Sequence, residues 1–332
     1  MRAMVLDRQA PISSAPLALR DVPPPEPGPG EISVRVRACG VCRTDLHVIE
    51  GDLPPRKLPL IPGHQVVGEV DRLGPGASRF RTGDRVGIAW LRHTCGVCRY
   101  CRAGRENLCE SSLFTGYHAD GGYAERAVVP EAFAYAIPAA FGDAEATPLL
   151  CAGIIGYRAL VRSEVPPGGK LGIWGFGSSA HVTIQVARAR GCEVYVATRG
   201  EKHQALAREM GAAWVGAADE PLPARVDGGI FFAPVGDLVP VALRSIEKGG
   251  TLAVAGIYLS DIPGIDYERE LFYERNLRSV TANTRVDGEG LLREAAAIPI
   301  RPRVSTFPLA DANRVLQLLK SDQINGTGVL LP

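Results

Sequence analysis

The sequence predicts an α/β chain of two domains, one rich in β-structure and one built on a doubly wound parallel sheet. Three observations carry this. A length of 332 residues is too great for one minimal domain and about right for two. Roughly the first 135 residues read as short apolar or alternating runs cut by Gly and Pro, and the texture changes near Asp143. Beyond it, short buried runs alternate with helix-length segments, the spacing of parallel strands joined by crossover helices.

In the β-rich part, residues 31–36 (Glu-Ile-Ser-Val-Arg-Val) and 65–70 (Gln-Val-Val-Gly-Glu-Val) are expected as strands. Residues 22–30 hold five prolines and two glycines and read as an extended connector. A helical stretch over 143–161 leads to Pro166-Pro167-Gly168-Gly169. The alternation then runs strand 170–174, helix 178–190, strand 193–197, helix 201–210, strand 229–232, helix 238–247 and strand 251–255. A last helix at 310–320 precedes an apolar tail, 328–331, expected to return as a strand to the first domain. No internal repeat or low-complexity segment is evident.

Charge excludes some functions. With 37 Lys+Arg against 36 Asp+Glu the chain is nearly neutral, which argues against a nucleic-acid binder or a polybasic membrane-surface protein. Hydrophobic residues at 46% and charged residues at 22% give an ordinary globular mix. The longest stretch free of Asp, Glu, Lys and Arg, 171–187, is broken by Ser, His, Thr and Gln, so no membrane span is expected. Charge enters at Arg2 and Asp7, before a signal-peptide core could form, and the expectation is a cytoplasmic protein.

Cysteine placement points to metal. Cys95-x2-Cys98-x2-Cys101-x7-Cys109 offers four thiolates, a closed tetrahedral zinc shell with no open position, and so a structural site in a lobe at about 91–112. The rival is an iron–sulfur cluster, whose bacterial run has three residues before the fourth Cys and a Pro after it. Here the gap is seven and Glu110 follows. A dispersed set, Cys42, His64 and Cys151, makes Cys2His, a three-ligand shell that leaves a fourth position for substrate.

Gly175-Phe176-Gly177-Ser178-Ser179-Ala180, directly after an expected strand and opening a helix, is the third motif. In that context it reads as a dinucleotide fingerprint, with the glycines admitting a pyrophosphate onto the amides of Ser178, Ser179 and Ala180. About 20 residues on, the ribose-reading acidic position holds Thr198, followed by Arg199. An arginine there suits a 2′-phosphate, so NADP(H) is expected over NAD(H).

With these motifs in this order, the chain resembles the zinc-dependent medium-chain alcohol dehydrogenases along essentially its whole length. The resemblance implies a GroES-like catalytic domain, 1–138 plus 282–332, and a Rossmann cofactor domain, 139–281, with substrate in the cleft between them. It implies two zinc ions per chain, a catalytic one on Cys42, His64 and Cys151 and a structural one on Cys95, Cys98, Cys101 and Cys109. Asp45 then orients His64, Thr44 touches the substrate alcohol, His47 ends a proton relay and Arg43 approaches the pyrophosphate. Cys39 and Cys192 match no ligand position and are expected as core thiols. Trp90 and Leu113 are candidate pocket walls. Two departures stand out: Gln65 replaces the usual Glu after His64, and Ile155 replaces a threonine, giving an apolar contact for the nicotinamide.

The implied activity is hydride transfer between a small alcohol and the cofactor, or the reverse reduction of an aldehyde or ketone, in a homo-oligomer of two or four chains. The alternatives are a polyol dehydrogenase or enone reductase of the same superfamily, and a non-catalytic zinc- and nucleotide-binding homologue. The complete Cys42/His64/Cys151 set speaks against an enone reductase, and the intact Thr44 and His47 against the non-catalytic reading.

Overall fold

The computed structural model describes residues 1–298, 300–324 and 326–332. They form two compact units. The first comprises Met1–Cys151, Ala282–Arg293 and Arg301–Pro332, and the second Ala152–Thr281 and Glu294–Ile300.

The first unit is organised by Glu31–Val41, a long strand that pairs with Gln65–Leu73, Arg126–Pro130 and Thr327–Leu331. From Val34 to Arg37 it alternates as expected for one wet face, with Val34 and Val36 buried and Arg35 and Arg37 outside. Irregularities at Ser33/Val34 and Val36/Ala38 shift the register, and from Ala38 to Val41 every residue is buried. The apolar tail does return as a strand: Thr327–Leu331 sets Leu330 opposite Cys39 and Gly328 opposite Val41. Val304–Pro308 extends the sheet at one edge, and Arg85–Ile88 with Ala134–Ala136 at the other.

The second unit is a six-stranded parallel sheet. Its order is Trp214–Gly216, Glu193–Ala197, Lys170–Trp174, Val226–Phe231, Ile246–Val254, Asn276–Ser279. In chain order that is 3-2-1-4-5-6, the doubly wound arrangement in which ligands bind outside the carboxyl ends of the strands. Leu171, Ile173, Val194, Val196, Ile230 and Leu252 are buried, because helices cover a parallel sheet on both faces.

Two expected helices and one domain boundary differ in detail. The stretch expected as one helix over 143–161 is Asp143–Ala146, a 3-10 turn Thr147–Leu150, and Ala152–Arg162, broken at Cys151. Cys151 leaves helical space at φ −136°, which frees its side chain from a helix face. The first unit accordingly runs through Cys151, beyond the boundary expected at 138; Thr147–Leu150 packs on Gln65–Leu73. The helix expected over 238–247 ends at Arg244, and Ile246 already pairs with Val226. Burial of Ile246 outweighs the helical pattern there. Among the described residues no single helix is long and apolar enough to cross a membrane.

Candidate active site

The helix Arg43–Glu50 begins at Cys42, and its first turn builds half of a site. The Cys42 sulfur accepts the Thr44 backbone N–H at 3.3 Å, while the Asp45 carboxylate accepts the Cys42 N–H at 2.9 Å. This is a reciprocal cap, made with a thiol in place of the usual hydroxyl. Asp45, 2% exposed, also accepts the Tyr123 hydroxyl at 3.1 Å and the His64 Nδ1–H at 3.0 Å. Its carboxylate is therefore fully engaged.

His64 stands at the end of a sharp loop. Gly63 has φ +95°, and a Cβ there would lie 2.3 Å from the Tyr123 ring, so only glycine fits. With Nδ1 held by Asp45, the His64 Nε2 faces inward, 3.3 Å from both the Cys42 and Cys151 sulfurs. A tetrahedral ion with ordinary Zn–S and Zn–N bonds spans about 3.5 Å between such atoms. The three donor atoms lie within 4.8 Å of one another. Two thiolates and a carboxylate around one buried imidazole leave an excess of negative charge, which a divalent cation neutralises. The donor set fits zinc with one position open. In the protein alone, the Cys42 thiol is pushed well up, first by its hydrogen bond with Cys151 and then by burial. Burial lowers His64, but Cys42 and Asp45 more than offset this and raise it to about 10.

The second cluster is local. The Cys98 sulfur caps the short helix Arg99–Arg102, accepting the Cys101 N–H at 3.5 Å. The Cys95 sulfur accepts the Cys98 N–H at 3.3 Å, and that of Cys109 accepts the Cys95 N–H at 3.4 Å. Sulfur separations are 3.5 Å for Cys98–Cys101, 3.6 Å for Cys95–Cys109 and 4.0 Å for Cys95–Cys101. A tetrahedron with 2.3 Å metal–sulfur bonds has edges of about 3.8 Å. The Cys95 thiol is lowered to about 6 by backbone N–H donors from Val97 and Cys98, whereas burial and then Cys98 raise Cys101 to about 11. Glu106, inside the lobe, accepts the Arg285 backbone N–H at 2.8 Å and its guanidinium at 2.6 Å.

Around the first cluster, Trp90 sets its ring edge-on to His64 with centroids 5.0 Å apart, and stacks on Phe114 at 4.8 Å and Tyr117 at 5.8 Å. Leu113, the other expected wall residue, is exposed; strand alternation turns its neighbour Phe114 inward instead. Thr44 and His47 share the Arg43–Glu50 helix; Thr44 is half-buried and Arg43 exposed. His47 pairs through Nδ1 with Asp52 at 2.7 Å. Gln65 is fully buried, and neither of its amide atoms has a hydrogen-bond partner among the described residues. Cys39 and Cys192 are buried free thiols.

Sequence reasoning missed Asp52 and Tyr123. Asp52 had a local signal, since Gly51 ends the helix in a left-handed conformation and turns the next residue back toward His47. Tyr123 had none: its contact with Asp45 spans 78 residues.

The glycine motif lies in the second unit, between the Lys170–Trp174 strand and the Ser178–Ala189 helix. Gly175 has φ +86°, and a Cβ there would meet the Ala233 backbone nitrogen at 2.9 Å. No atom lies within 4 Å of a Cβ built on Gly177, which leaves open space over the turn. Ser178 and Ser179 are half-buried at the helix start, and Ala180 is fully buried where the motif allows a small residue against the strand. Thr198 follows the second strand and is buried, while Arg199 is exposed. Ile155 lies half-buried on Ala152–Arg162.

Two family models match the chain: the alcohol dehydrogenase GroES-like domain over residues 28–139 and the zinc-binding dehydrogenase domain over 180–297. A probable alcohol dehydrogenase, AdhA, of Mycobacterium tuberculosis is 53% identical over all of this chain and 97% of its own. An alcohol dehydrogenase of Geobacillus stearothermophilus is 38% identical over 95% of each. The cobalt- and zinc-bound thermostable alcohol dehydrogenase of Pyrobaculum aerophilum superposes with a TM-score of 0.89 at 28% identity, covering 100% of this chain and 99% of its own.

Proposed function

The chain belongs to the zinc-dependent medium-chain alcohol dehydrogenases, and on that premise we propose the residues through which it exchanges a hydride between an alcohol and a nicotinamide cofactor. Zinc held by Cys42, His64 and Cys151 would supply a Lewis acid for the substrate oxygen. The observation that carries this reading is the His64 ring, fixed by Asp45 so that Nε2 faces two sulfurs at 3.3 Å.

The chain's own residues do the rest. Asp45 holds His64 in one tautomer, and Tyr123 holds Asp45. The Thr44 hydroxyl takes the alcohol proton as it passes its own on by way of the cofactor ribose to His47, which Asp52 steadies. Trp90 and Phe114 give the substrate's hydrocarbon part an apolar wall. Gly175 and Gly177 admit the cofactor's pyrophosphate to the helix N-terminus at Ser178–Ala180, with Ile155 as an apolar contact for the nicotinamide, and Arg43 is the cofactor-binding cation of the other unit. Arg199, exposed and with no partner among the described residues, pairs with a 2′-phosphate, so that NADP(H) is preferred over NAD(H). Cys95, Cys98, Cys101 and Cys109 hold a second, structural zinc. Eight cysteines, six of them assigned here to zinc, suit a reducing, cytoplasmic setting, and a homo-oligomer completes the reading.

The test is a comparison of severities with one aldehyde and its alcohol. Thr44→Ala is expected to lower turnover by about 10²–10⁴-fold, the usual contribution of a proton-transfer group. His47→Gln is expected to cost less, and less still as pH rises, because hydroxide and water replace an outer relay. Equal, pH-independent losses would reject the relay in this order.

A further inference from the structure

Thr198 occupies the position at which a ribose-reading acid is expected, yet its oxygen points inward. The hydroxyl accepts the Phe176 backbone N–H at 3.1 Å, across the glycine turn. Thr198 and Phe176 are each 2% exposed, so water cannot take over this bond. The Thr198 backbone is tied as well: its N–H reaches Gly216 at 3.0 Å, and its carbonyl accepts the Gln204 side chain at 3.1 Å. One residue thus joins the glycine turn, the third strand and the helix Glu201–Glu209. A second tie, Gly175 N–H to the Ala197 carbonyl at 2.9 Å, involves backbone only. The Phe176 bond alone depends on the side chain.

We infer that Thr198 is a positioning residue for the cofactor, its hydroxyl holding the glycine turn in the shape that receives the dinucleotide, while the choice between NADPH and NADH falls to Arg199. This rests on the cofactor reading above. A side chain 2% exposed has almost no surface to offer a ribose, and its oxygen is already used. Removing that oxygen leaves a buried N–H unpaired in the turn, an outcome that disfavours the bound shape whichever cofactor is present. Arg199 lies outside this network, and Gly200 at φ +76° turns the chain directly after it.

Dissociation constants for NADPH and NADH, measured on the wild type, Thr198→Val, Thr198→Ser and Arg199→Gln, separate the two roles. Thr198→Val is expected to weaken both cofactors by the same factor, on the order of tenfold for one lost buried hydrogen bond. Thr198→Ser, which keeps the hydroxyl, is expected to restore both. Arg199→Gln is expected to weaken NADPH alone. Amide exchange at Phe176 is expected to be slow in the wild type and in Thr198→Ser and fast in Thr198→Val. Fast exchange in the wild type overturns the inference even if Thr198→Val does not fold. So does a Thr198→Val effect confined to one cofactor, or absent from both. An unchanged NADPH-to-NADH ratio in Arg199→Gln rejects the cofactor reading and the selecting role of Arg199; equal weakening in Thr198→Val still supports the clamp.

Discussion

The two cysteine clusters are assembled in opposite ways. Cys42, His64 and Cys151 are far apart in sequence, and a helix cap, a glycine loop and a break between helices bring them together. Their frame is a buried sheet, and Asp45, itself bonded to Tyr123, fixes the imidazole. Cys95, Cys98, Cys101 and Cys109 lie within one short lobe whose order comes from N–H···S bonds, two strand residues at Leu113–Phe114 and the Glu106–Arg285 pair. Its tip exposes Val97 at 66%. A site made by the fold tolerates loss of a ligand, whereas a loop ordered by its ligands does not.

That contrast is sharpest for Cys42→Ser. Lewis-acid assistance is worth several kcal/mol, and each 1.36 kcal/mol is tenfold in rate, so turnover is expected to fall by about a thousandfold or more. Circular dichroism and the melting temperature are expected to stay near wild type, with about one zinc per chain retained. Near-normal turnover would break the assignment.

Cys101→Ser is expected to reverse the pattern. A destabilisation of about 2–3 kcal/mol lowers the melting temperature by roughly 5–10 °C in a unit of this size. Limited proteolysis is then expected to cut first between residues 95 and 109, with activity lost only as the lobe opens. Cleavage elsewhere, with the lobe intact, would erase the distinction between the clusters.

The smallest effect concerns the clamp on the lobe. Burial raises the Glu106 carboxyl, but the Arg285 hydrogen bonds outweigh it and hold the group below the usual carboxylate range. A group whose folded value is depressed contributes stability above its unfolded value, about pH 4.3 for Glu, and loses it as pH falls through the folded value. Glu106→Gln is therefore expected to lower the melting temperature by about 2–4 °C near neutrality, the effect of about 1 kcal/mol. The difference between variant and wild type should shrink steadily below pH 4. A gap that persists unchanged in acid would show that the carboxylate charge contributes nothing.

The parts of the molecule legible in the sequence are those encoded locally. The strands Lys170–Trp174 and Glu193–Ala197 fall where apolar runs between Gly and helix signals place them. The four-cysteine spacing and the glycine turn are visible for the same reason. Edge strands escape: Trp214–Gly216 is three residues long, and Asn276–Ser279 carries polar side chains over a half-buried surface. The Cys151 break escapes because Thr147-Pro148-Leu149-Leu150 reads as helix continuing from Asp143, whereas packing on the sheet selects a tighter turn. Around the site, Asp45 comes only through resemblance and Tyr123 not at all, since a contact between distant loops leaves no periodicity to read. Thr198 is visible as a departure from the acidic pattern, but the inward direction of its oxygen requires coordinates.

The strand Thr327–Leu331 carries a consequence for how the protein is made. It lies beside Glu31–Val41, with Val329 opposite Gly40, two residues from Cys42. Ribosomes deliver the chain from the N-terminus, and domains close as their residues emerge. The parallel sheet from Lys170 to Ser279 can therefore be complete while the strand leading to Cys42 still has one edge unpaired. During that interval the buried run Ala38–Val41 is an open template for pairing with another chain. Translation speed across the last sixth of the message thus sets how long each newborn molecule stays open to such pairing.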